Sequence, residues 1–247
     1  MKGELIMGRH PVSEAIASGR DINKVWVSQN GQGLSKKQQQ TLKENQVTIQ
    51  FVPKNKLDQL VNSSQHQGVV ASVAAHEYAD MDELFSIANN RNEQPFFIIL
   101  DGIEDPHNFG SILRTADAVG AHGVIIPKRR AVGLTPVVAK ASTGAIEHVP
   151  VVRVTNLSRT IQQLKKQGLW FLGTDADGQA DYKNAELDLP LCLVMGNEGS
   201  GMSRLVKEHC DFLIRIPMEG TVTSLNASVA AALLMYEVHR HRHSEGE

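Results

Sequence analysis

The apolar positions change their rhythm about one third of the way along the chain. In the first 75 residues, short apolar runs alternate with polar segments, a pattern that predicts alternating strands and helices. From Phe96 onward the apolar runs become continuous and alternate with helical patterns, which is typical of a parallel sheet covered on both faces. The sequence therefore predicts an α/β protein with a small N-terminal domain and a larger C-terminal one.

The elements predicted for the N-terminal part are short. Strands are expected at 25–27, 47–52 and 69–73, and helices at 35–45 and 54–61. Asp80 followed by Glu83 resembles a capping box that opens a helix over 81–90. We place an N-terminal domain over 1–75, a linker over 76–94 and a second domain over 95–247.

The second domain has a regular strand–helix rhythm. Strands are expected at 96–100, 123–126, 149–154, 170–173, 191–195 and 212–216. Helices are expected at 111–119, 136–141, 157–167, 202–209 and, as a long apolar final helix, 226–241. Asn156 and Thr135, the latter followed by Pro136, are predicted N-caps.

Composition narrows the class of protein but does not identify its binding partner. The net charge of −2 does not indicate a nucleic-acid binder, but phosphate contacts need only a local basic face. The two cysteines are too few for a disulfide scaffold and no Cys/His cluster has zinc spacing, so we expect no metal. No apolar run approaches the ~18 residues of a membrane helix and no signal peptide is visible, which predicts a cytoplasmic protein. The basic clusters Lys36-Lys37, Lys128-Arg129-Arg130, Lys165-Lys166 and Arg204 with Lys207 are each also explained as solvated surface.

Three segments of the second domain hold residues that a plain α/β domain does not need. The first runs from Asp105 to Arg114, where Asn108 and Arg114 are expected to converge over the carboxyl end of the preceding strand. The second, Met195 to Gly201, carries three glycines that let the backbone curl around a ligand. Its glycine spacing is not that of a dinucleotide-binding or phosphate-binding loop, and Glu198 favours a hydroxyl-bearing or cationic ligand.

The third segment joins a strand to the final helix. It runs from Ile216 to Ser228 and enters a stretch of small residues that permits close backbone packing. Ser224 could cap that helix, which alone would explain its presence.

Together these segments resemble the three signature motifs of the TrmH/SpoU family of RNA ribose 2′-O-methyltransferases, of the SPOUT class. The matching patterns are D-P-x-N-x-G-x-x-x-R, V-M-G-x-E-G-x-G and I-P-M-x-G-x-x-x-S-L-N-x-S-V-A, in the family's order. Upstream, 8–12 and 66–71 resemble the family's small N-terminal RNA-binding domain, so the resemblance covers nearly the whole chain. It is closest to members that methylate a guanosine ribose in 23S large-subunit rRNA.

The resemblance implies a fold, a cofactor and partners. The fold is a SPOUT-type parallel sheet with a C-terminal trefoil knot, plus a small ribosomal-protein-like α/β domain that binds RNA. The implied cofactor is S-adenosyl-L-methionine without a metal, and the implied partners are RNA and a second copy of the chain. Carried onto this sequence, the cofactor-binding residues are Thr174, Gly196, Ile216, Met218 and Leu225.

The resemblance also implies a catalytic set: Arg114, Asn108, Glu198, Ser224 and Asn226. Arg114 matches the family's suggested general base, yet a guanidinium releases its proton only at strongly alkaline pH. An equally good role is to grip the target phosphate and stabilise the developing alkoxide. His107 is a weaker candidate for the base. In the N-terminal domain, Arg9 and His10 are predicted to contact RNA, with Lys36 and Lys37 as further candidates.

The sequence alone also allows other functions. A tRNA ribose methyltransferase fits the same motifs, and a non-catalytic RNA-binding ribosome-assembly factor could retain this fold. An NAD-dependent oxidoreductase is the rival from another class, but the chain lacks its glycine fingerprint.

Overall fold

A computed structural model describes residues 4–20, 22–29, 33–45, 47–73, 76–178, 180–221 and 223–243. The chain forms two compact units. Unit 1 comprises Met1–Glu77 together with Leu134–His148, and unit 2 comprises Tyr78–Gly133 together with Val149–Glu247. Among the described residues, no helix has the length and apolar character needed to cross a membrane.

The strands in chain order are β1 (Glu4–Met7), β2 (Ile22–Ser28), β3 (Thr48–Val52), β4 (Val69–Val73), β5 (Phe96–Asp101), β6 (Gly123–Pro127), β7 (Val151–Val154), β8 (Trp170–Thr174), β9 (Ala180–Asp181), β10 (Leu191–Gly196) and β11 (Phe212–Arg215). The α-helices are α1 (Arg9–Ala17), α2 (Lys36–Glu44), α3 (Lys54–Val61), α4 (Met81–Arg91), α5 (Pro106–Ala118), α6 (Pro136–Ala141), α7 (Leu157–Lys165), α8 (Arg204–Glu208) and α9 (Ala227–His243). Short 3₁₀ turns occupy Ala145–Glu147 and Tyr182–Asn184.

Unit 1 is built on a four-stranded mixed sheet. Its strand order is β1-β4-β2-β3; β4 runs antiparallel to both β1 and β2, while β2 and β3 are parallel. Val52, Leu57 and Val70 form a small buried core between sheet and helix. Helix α6 packs on β1, so a segment from the middle of the chain completes this unit.

Unit 2 is built on a seven-stranded sheet in the order β7-β6-β5-β10-β8-β11-β9, and every recorded strand pair is parallel. The consecutive residues Ile98, Ile99 and Leu100 have no exposed surface. Because successive strand residues point to opposite faces, β5 is covered on both sides. One face packs against α4, α7 and α8 through Leu84, Ile161 and Val206 among others, and α5 packs against α9.

The parallel α/β architecture predicted from the apolar rhythm is thus confirmed. The predicted caps Thr135 and Asn156 also form, each accepting a hydrogen bond from a first-turn amide. The trefoil knot stays a prediction, as do the domain boundaries at residues 75 and 95. Both cysteines are free thiols, Cys192 inside β10 and Cys210 beside the core.

Several local predictions were wrong. Helix α5 begins at Pro106 rather than at 111, because Asp105 caps it by accepting the Asn108 amide at 2.8 Å; the first signature segment is therefore mostly helix. The capping box at Asp80 does not form, since the Asp80 side chain makes no cap hydrogen bond. A complete box forms instead between Ser35 and Gln38. Strand β1 and helix α1 were missed.

Candidate active site

A cavity of about 420 Å³ lies where β8, β10 and β11 end at their carboxyl edge. This is the edge at which open α/β sheets bind ligands. The loops that follow these strands form its walls, so residues distant in sequence meet there. Glu198 and Ser224 from the predicted catalytic set line it. All five predicted cofactor residues line it as well: Thr174, Gly196, Ile216, Met218 and Leu225.

The wall formed by the second motif is a tight turn. The backbones of Asn197 and Gly201 exchange two hydrogen bonds, of 3.1 and 2.9 Å. Glycine is required at 196, because a Cβ there would lie 2.3 Å from the Gly201 carbonyl carbon and from the Met202 amide nitrogen. The Asn197 side chain fixes the turn by donating to the Gly102 carbonyl at 2.8 Å. The turn thus holds its backbone against the cavity in one conformation.

Two hydrogen bonds connect the three signature motifs. The Glu198 carboxylate accepts the Ala227 amide at 2.9 Å, which joins the second motif to the first residue of α9. The Asn226 side-chain amide donates to the Asn108 side-chain carbonyl at 3.0 Å, which joins the third motif to the first turn of α5. Asn226 also accepts the Ser228 amide and hydroxyl, at 3.0 and 2.6 Å. Asn226, and not Ser224, therefore caps α9.

Arg114 stands apart from this network. It is exposed on α5 and has no hydrogen-bond or ion-pair partner within the described ranges. It is not among the residues that line the cavity. His107, near the start of the same helix, is also exposed. The structure therefore brings Asn108, Glu198, Ser224 and Asn226 to the cavity or its border, and leaves the Arg114 guanidinium unengaged.

The cavity wall carries more negative than positive charge. Asp175, Asp177 and Glu198 line it, and among its described residues the opposing charge is the ammonium group of Lys207, whose Nζ lies 2.6 Å from Asp175 Oδ2. Burial acts to raise the pKa of Asp175, but hydrogen bonds from Lys207 and from the Asp177 amide outweigh it and the pKa is lowered. Such a wall suits a ligand bearing positive charge and opposes a phosphate group.

Asp175, Asp177 and Lys207 were missed as site residues by the sequence analysis. The signal was available for Asp175, since it directly follows Thr174 at the end of a predicted strand. Lys207 could not be found this way, because it reaches the cavity from α8, a helix outside the three motifs. Within the residues that the structure describes, no group of three or more His, Cys, Asp or Glu side chains is arranged to hold a metal ion.

The predicted RNA contacts lie in unit 1. Arg9 and His10 are exposed at the start of α1 and line a second cavity, of about 630 Å³. Lys36 and Lys37 are exposed at the start of α2 and are not part of that cavity wall.

The fold and motifs define a class of RNA-modifying protein. Residues 95–236 match the SpoU rRNA methylase family, and residues 5–79 match the substrate-binding domain of RNA 2′-O ribose methyltransferases. The chain therefore belongs to the SpoU rRNA methylase family and is an RNA methyltransferase by family.

Individual relatives agree with this assignment. The chain is 59% identical over 245 residues to YacO of Bacillus subtilis (strain 168), named as a TrmH family tRNA/rRNA methyltransferase, covering 99% of this chain and 98% of YacO. Among solved structures it resembles the SpoU methyltransferase AviRb from Streptomyces viridochromogenes, at 30% identity and a TM-score of 0.82, covering 98% of this chain and 91% of AviRb. A second AviRb structure, 29% identical with the same TM-score, covers 97% of this chain and 90% of AviRb and contains the cofactor AdoMet.

Proposed function

We propose that this protein transfers a methyl group from S-adenosyl-L-methionine to a ribose 2′-hydroxyl of RNA. The observation that carries the proposal is the cavity at the carboxyl edge of the sheet, where the second and third motifs meet and are hydrogen-bonded to the first through Asn226 and Asn108. The AdoMet complex of AviRb supports the choice of cofactor.

The residues present fit this cofactor. Ile216, Met218 and Leu225 give part of the wall an apolar surface suited to an adenine ring. The excess of carboxylates suits a ligand that carries a sulfonium and an ammonium group. Bound there, the cofactor would supply a methyl group that a nucleophile can displace from sulfur. The neutral thioether product would lack the sulfonium charge, and we expect it to bind more weakly to this wall.

Methyl transfer requires that the ribose 2′-hydroxyl is positioned against the methyl group and that this hydroxyl loses its proton. A bond forms between the ribose 2′-oxygen and the methyl carbon while the sulfur–methyl bond breaks, and the hydroxyl proton leaves to a base or to water. We assign Arg114 to hold the target phosphate and stabilise negative charge on the attacking oxygen. Asn108, Glu198, Ser224 and Asn226 position the ribose or the loops.

For the target, we propose a guanosine of 23S rRNA, with a tRNA ribose as the second candidate. The names of relatives such as YacO mention both RNA classes. A non-catalytic RNA-binding factor is disfavoured because Asn108, Arg114, Glu198 and Asn226 all remain in place. Unit 1, with Arg9 and His10, is proposed to bind the RNA.

We further propose a homodimer. Val229, Leu233 and Tyr236 lie on one stripe of α9, at a spacing of four and three residues, and are 49%, 41% and 53% exposed. An apolar stripe of this kind on a helix is typical of a protein–protein contact.

Cofactor binding and methyl transfer test the proposal separately. S-adenosylmethionine and, more weakly, its demethylated product should raise the melting temperature of the protein, whereas NAD and ATP should not. Labelled methyl should then enter RNA, and mapping of blocked 2′-positions in RNA from a deletion strain should give the nucleotide. No thermal shift at ligand concentrations far above micromolar would remove the cofactor assignment. Binding without transfer to any RNA would instead favour the non-catalytic factor.

A further inference from the structure

The cavity in unit 1 has a wall unlike that of the candidate active site. Arg9, His10 and Lys54 contribute cationic or titratable side chains to it, and no carboxylate lines it within the described part of the chain. All three side chains are exposed. With positive charge on one side and no acid to neutralise it, the cavity favours an anionic ligand.

The turn that borders this cavity is firmly held. His66 is 1% exposed, and its Nδ1 accepts the Gly68 amide at 3.0 Å while its Nε2 lies 3.1 Å from Asp58 Oδ1. Because an amide can only donate, Nδ1 is the acceptor and Nε2 carries the proton that Asp58 accepts. His66 thereby fixes Gln67 and Gly68 in the left-handed region, at φ +50° and +85°.

The fixed turn also holds the start of α1, where Arg9 lies. Gln67 Oε1 accepts the Arg9 amide at 3.1 Å, which joins the turn to the start of α1. Lys54 is the first residue of α3, so both helices begin at the cavity, and neither has a side-chain cap. The partial positive charge at each helix start adds to that of Arg9 and Lys54. The backbone of the turn and of the start of α1 is therefore held in place without a ligand.

The size of the cavity exceeds what a phosphate alone requires. At about 630 Å³, it falls within the roughly 300–1,000 Å³ of ligand pockets that enclose drug-sized molecules. Beyond the cations, Ser28, Ser64 and the amide group of Gln67 line it. Hydroxyl and amide groups can both donate to and accept from the edges of a base or a ribose.

We propose that this cavity takes one unstacked nucleotide of the RNA substrate, with its phosphate at Arg9, His10 and Lys54 and its base or ribose at Ser28, Ser64 and Gln67. The proposal rests on the proposed function, which makes RNA the substrate. Sequence-specific RNA recognition targets bases that are free of a duplex, and the cavity supplies a place for one. It makes Lys54 and Gln67 RNA-contacting residues in addition to Arg9 and His10.

The test compares two lysines of the same helix. Lys54→Gln removes a cation from the cavity wall, whereas the matched control Lys56→Gln removes one from an exposed position outside it. Binding of a large-subunit rRNA hairpin is measured without cofactor over a salt series. Lys54→Gln should weaken binding roughly five- to tenfold at about 0.1 M salt and reduce the salt slope by about 0.7–0.9, as loss of one phosphate contact requires. Lys56→Gln should change both quantities little, and Arg9→Gln should reproduce the effect of Lys54→Gln.

A fully paired RNA of equal length separates a nucleotide site from a general phosphate contact. The hairpin should bind the wild type more tightly than the duplex, and Lys54→Gln should remove most of that preference. Equal losses from Lys54→Gln and Lys56→Gln, or from hairpin and duplex, would overturn the proposal. So would unchanged RNA binding in Lys54→Gln together with Lys54-dependent binding of free guanosine monophosphate, which would make the cavity a site for a free nucleotide. These measurements involve no methyl transfer, so their outcome is independent of whether the chain is catalytic.

Discussion

Glu198 shows how one side chain can hold a helix end in place and line the cavity at the same time. Its carboxylate accepts the first amide of α9 while it also lines the cavity. A negative charge is favourable at a helix start, where unpaired amides and the helix dipole meet it. Glu198 is recognisable in the sequence as an acid in a glycine-rich loop, but its hydrogen-bond partner is not, because Ala227 lies 29 residues further along the chain.

Asn108 and Asn226 were likewise selected from the motifs, but their hydrogen bond to each other was not predicted. The pairing depends on where α5 and α9 begin, and both helix starts are set by capping side chains, Asp105 and Asn226. Motifs thus identify the polar residues of a site, whereas the contacts between them follow from helix ends that periodicity places only approximately.

Arg114 gives the first prediction at the scale of a residue. Because its side chain has no partner within the described ranges and does not line the cavity, Arg114→Ala should leave the melting temperature and the cofactor affinity nearly unchanged. Methyl transfer to RNA should fall by at least about 100-fold, the effect of removing one charge-stabilising group from a transition state. Calorimetry with the cofactor and single-turnover transfer assays measure the two quantities separately.

Arg114→Lys is the control that distinguishes a general base from a group that stabilises charge. A lysine keeps the positive charge but loses the planar fork of the guanidinium, so substantial residual transfer would support charge stabilisation. Wild-type turnover in Arg114→Ala would contradict both roles and place the base and the stabiliser elsewhere.

Among the elements, those with clear polar or proline borders were the most predictable. Strand β4 and helices α3 and α6 lie at the residues predicted for them, because apolar runs with clear polar or proline borders leave little choice. Helix α1 was missed since its sequence, with Pro11 in the first turn, lacks a strong apolar period. Strand β9 has only two residues and exists through its pairing with β11, which no local pattern can reveal.

The segment from α6 through the following 3₁₀ turn is held in unit 1 by a buried ionic cluster. Arg20 donates to Glu147 Oε1 at 3.0 Å and to His76 Nε2 at 2.5 Å, and the three side chains are between 6% and 9% exposed. Burial, and then the nearby Arg20 charge, lower the pKa of His76 to about 3. A guanidinium can only donate, so His76 must stay neutral at Nε2 for this cluster to persist.

This cluster predicts a pH dependence of stability. At a pH between the unfolded pKa of 6.5 and the folded pKa of about 3, His76 is protonated in the unfolded chain and neutral in the folded chain. The free energy of unfolding therefore falls as the pH falls through this range. The loss should reach about 2 kcal/mol at pH 5. Urea unfolding at pH 7.5 and pH 5 measures it, and His76→Gln, which keeps an acceptor but cannot titrate, should reduce the difference.

The comparison between variants is needed because burial also lowers the pKa of His122, in unit 2, and therefore acts in the same direction. His10→Gln, at an exposed position of unit 1, is the matched control for the exchange of a histidine for a glutamine. An identical pH dependence in His76→Gln and the wild type would show that the cluster does not titrate with folding.

At the scale of the whole molecule, the division of the chain differs from a simple succession of domains. Unit 1 takes up Leu134–His148 from between β6 and β7 of unit 2. Three contacts support this: α6 packs on β1, Glu147 pairs with Arg20, and His148 Nε2 lies 2.8 Å from Glu14 Oε2. The sequence could not show this, because 136–141 has the same apolar character as any helix of the second domain.

A fragment that begins near Gln94 tests what holds the segment 134–148 in place. The sequence predicts that such a fragment folds and binds cofactor, and the complete sheet and cavity of unit 2 lie within it, although α4, whose Leu84 packs in the core of that unit, does not. However, the fragment lacks β1, Glu14 and Arg20, so the segment 134–148 loses the partners that it has in unit 1. Local stability depends on such packing and ion-pair contacts. We therefore expect trypsin to cleave after Lys140, within α6, at least about tenfold faster in the fragment than in the full chain.

Cleavage at the exposed run Lys128-Arg129-Arg130 provides the internal control. This run belongs to unit 2 and should be cut at similar rates in both proteins, so the ratio of the two cleavage rates reports the segment alone. Mass spectrometry of a digestion time course gives both rates from one sample. Equal protection of Lys140 in fragment and full chain would mean that the segment is held by unit 2 after all. A fragment that binds S-adenosylmethionine while its segment is rapidly cleaved would show that the cofactor cavity folds without residues 1–93, and that this part of the chain orders the segment 134–148, which follows β6.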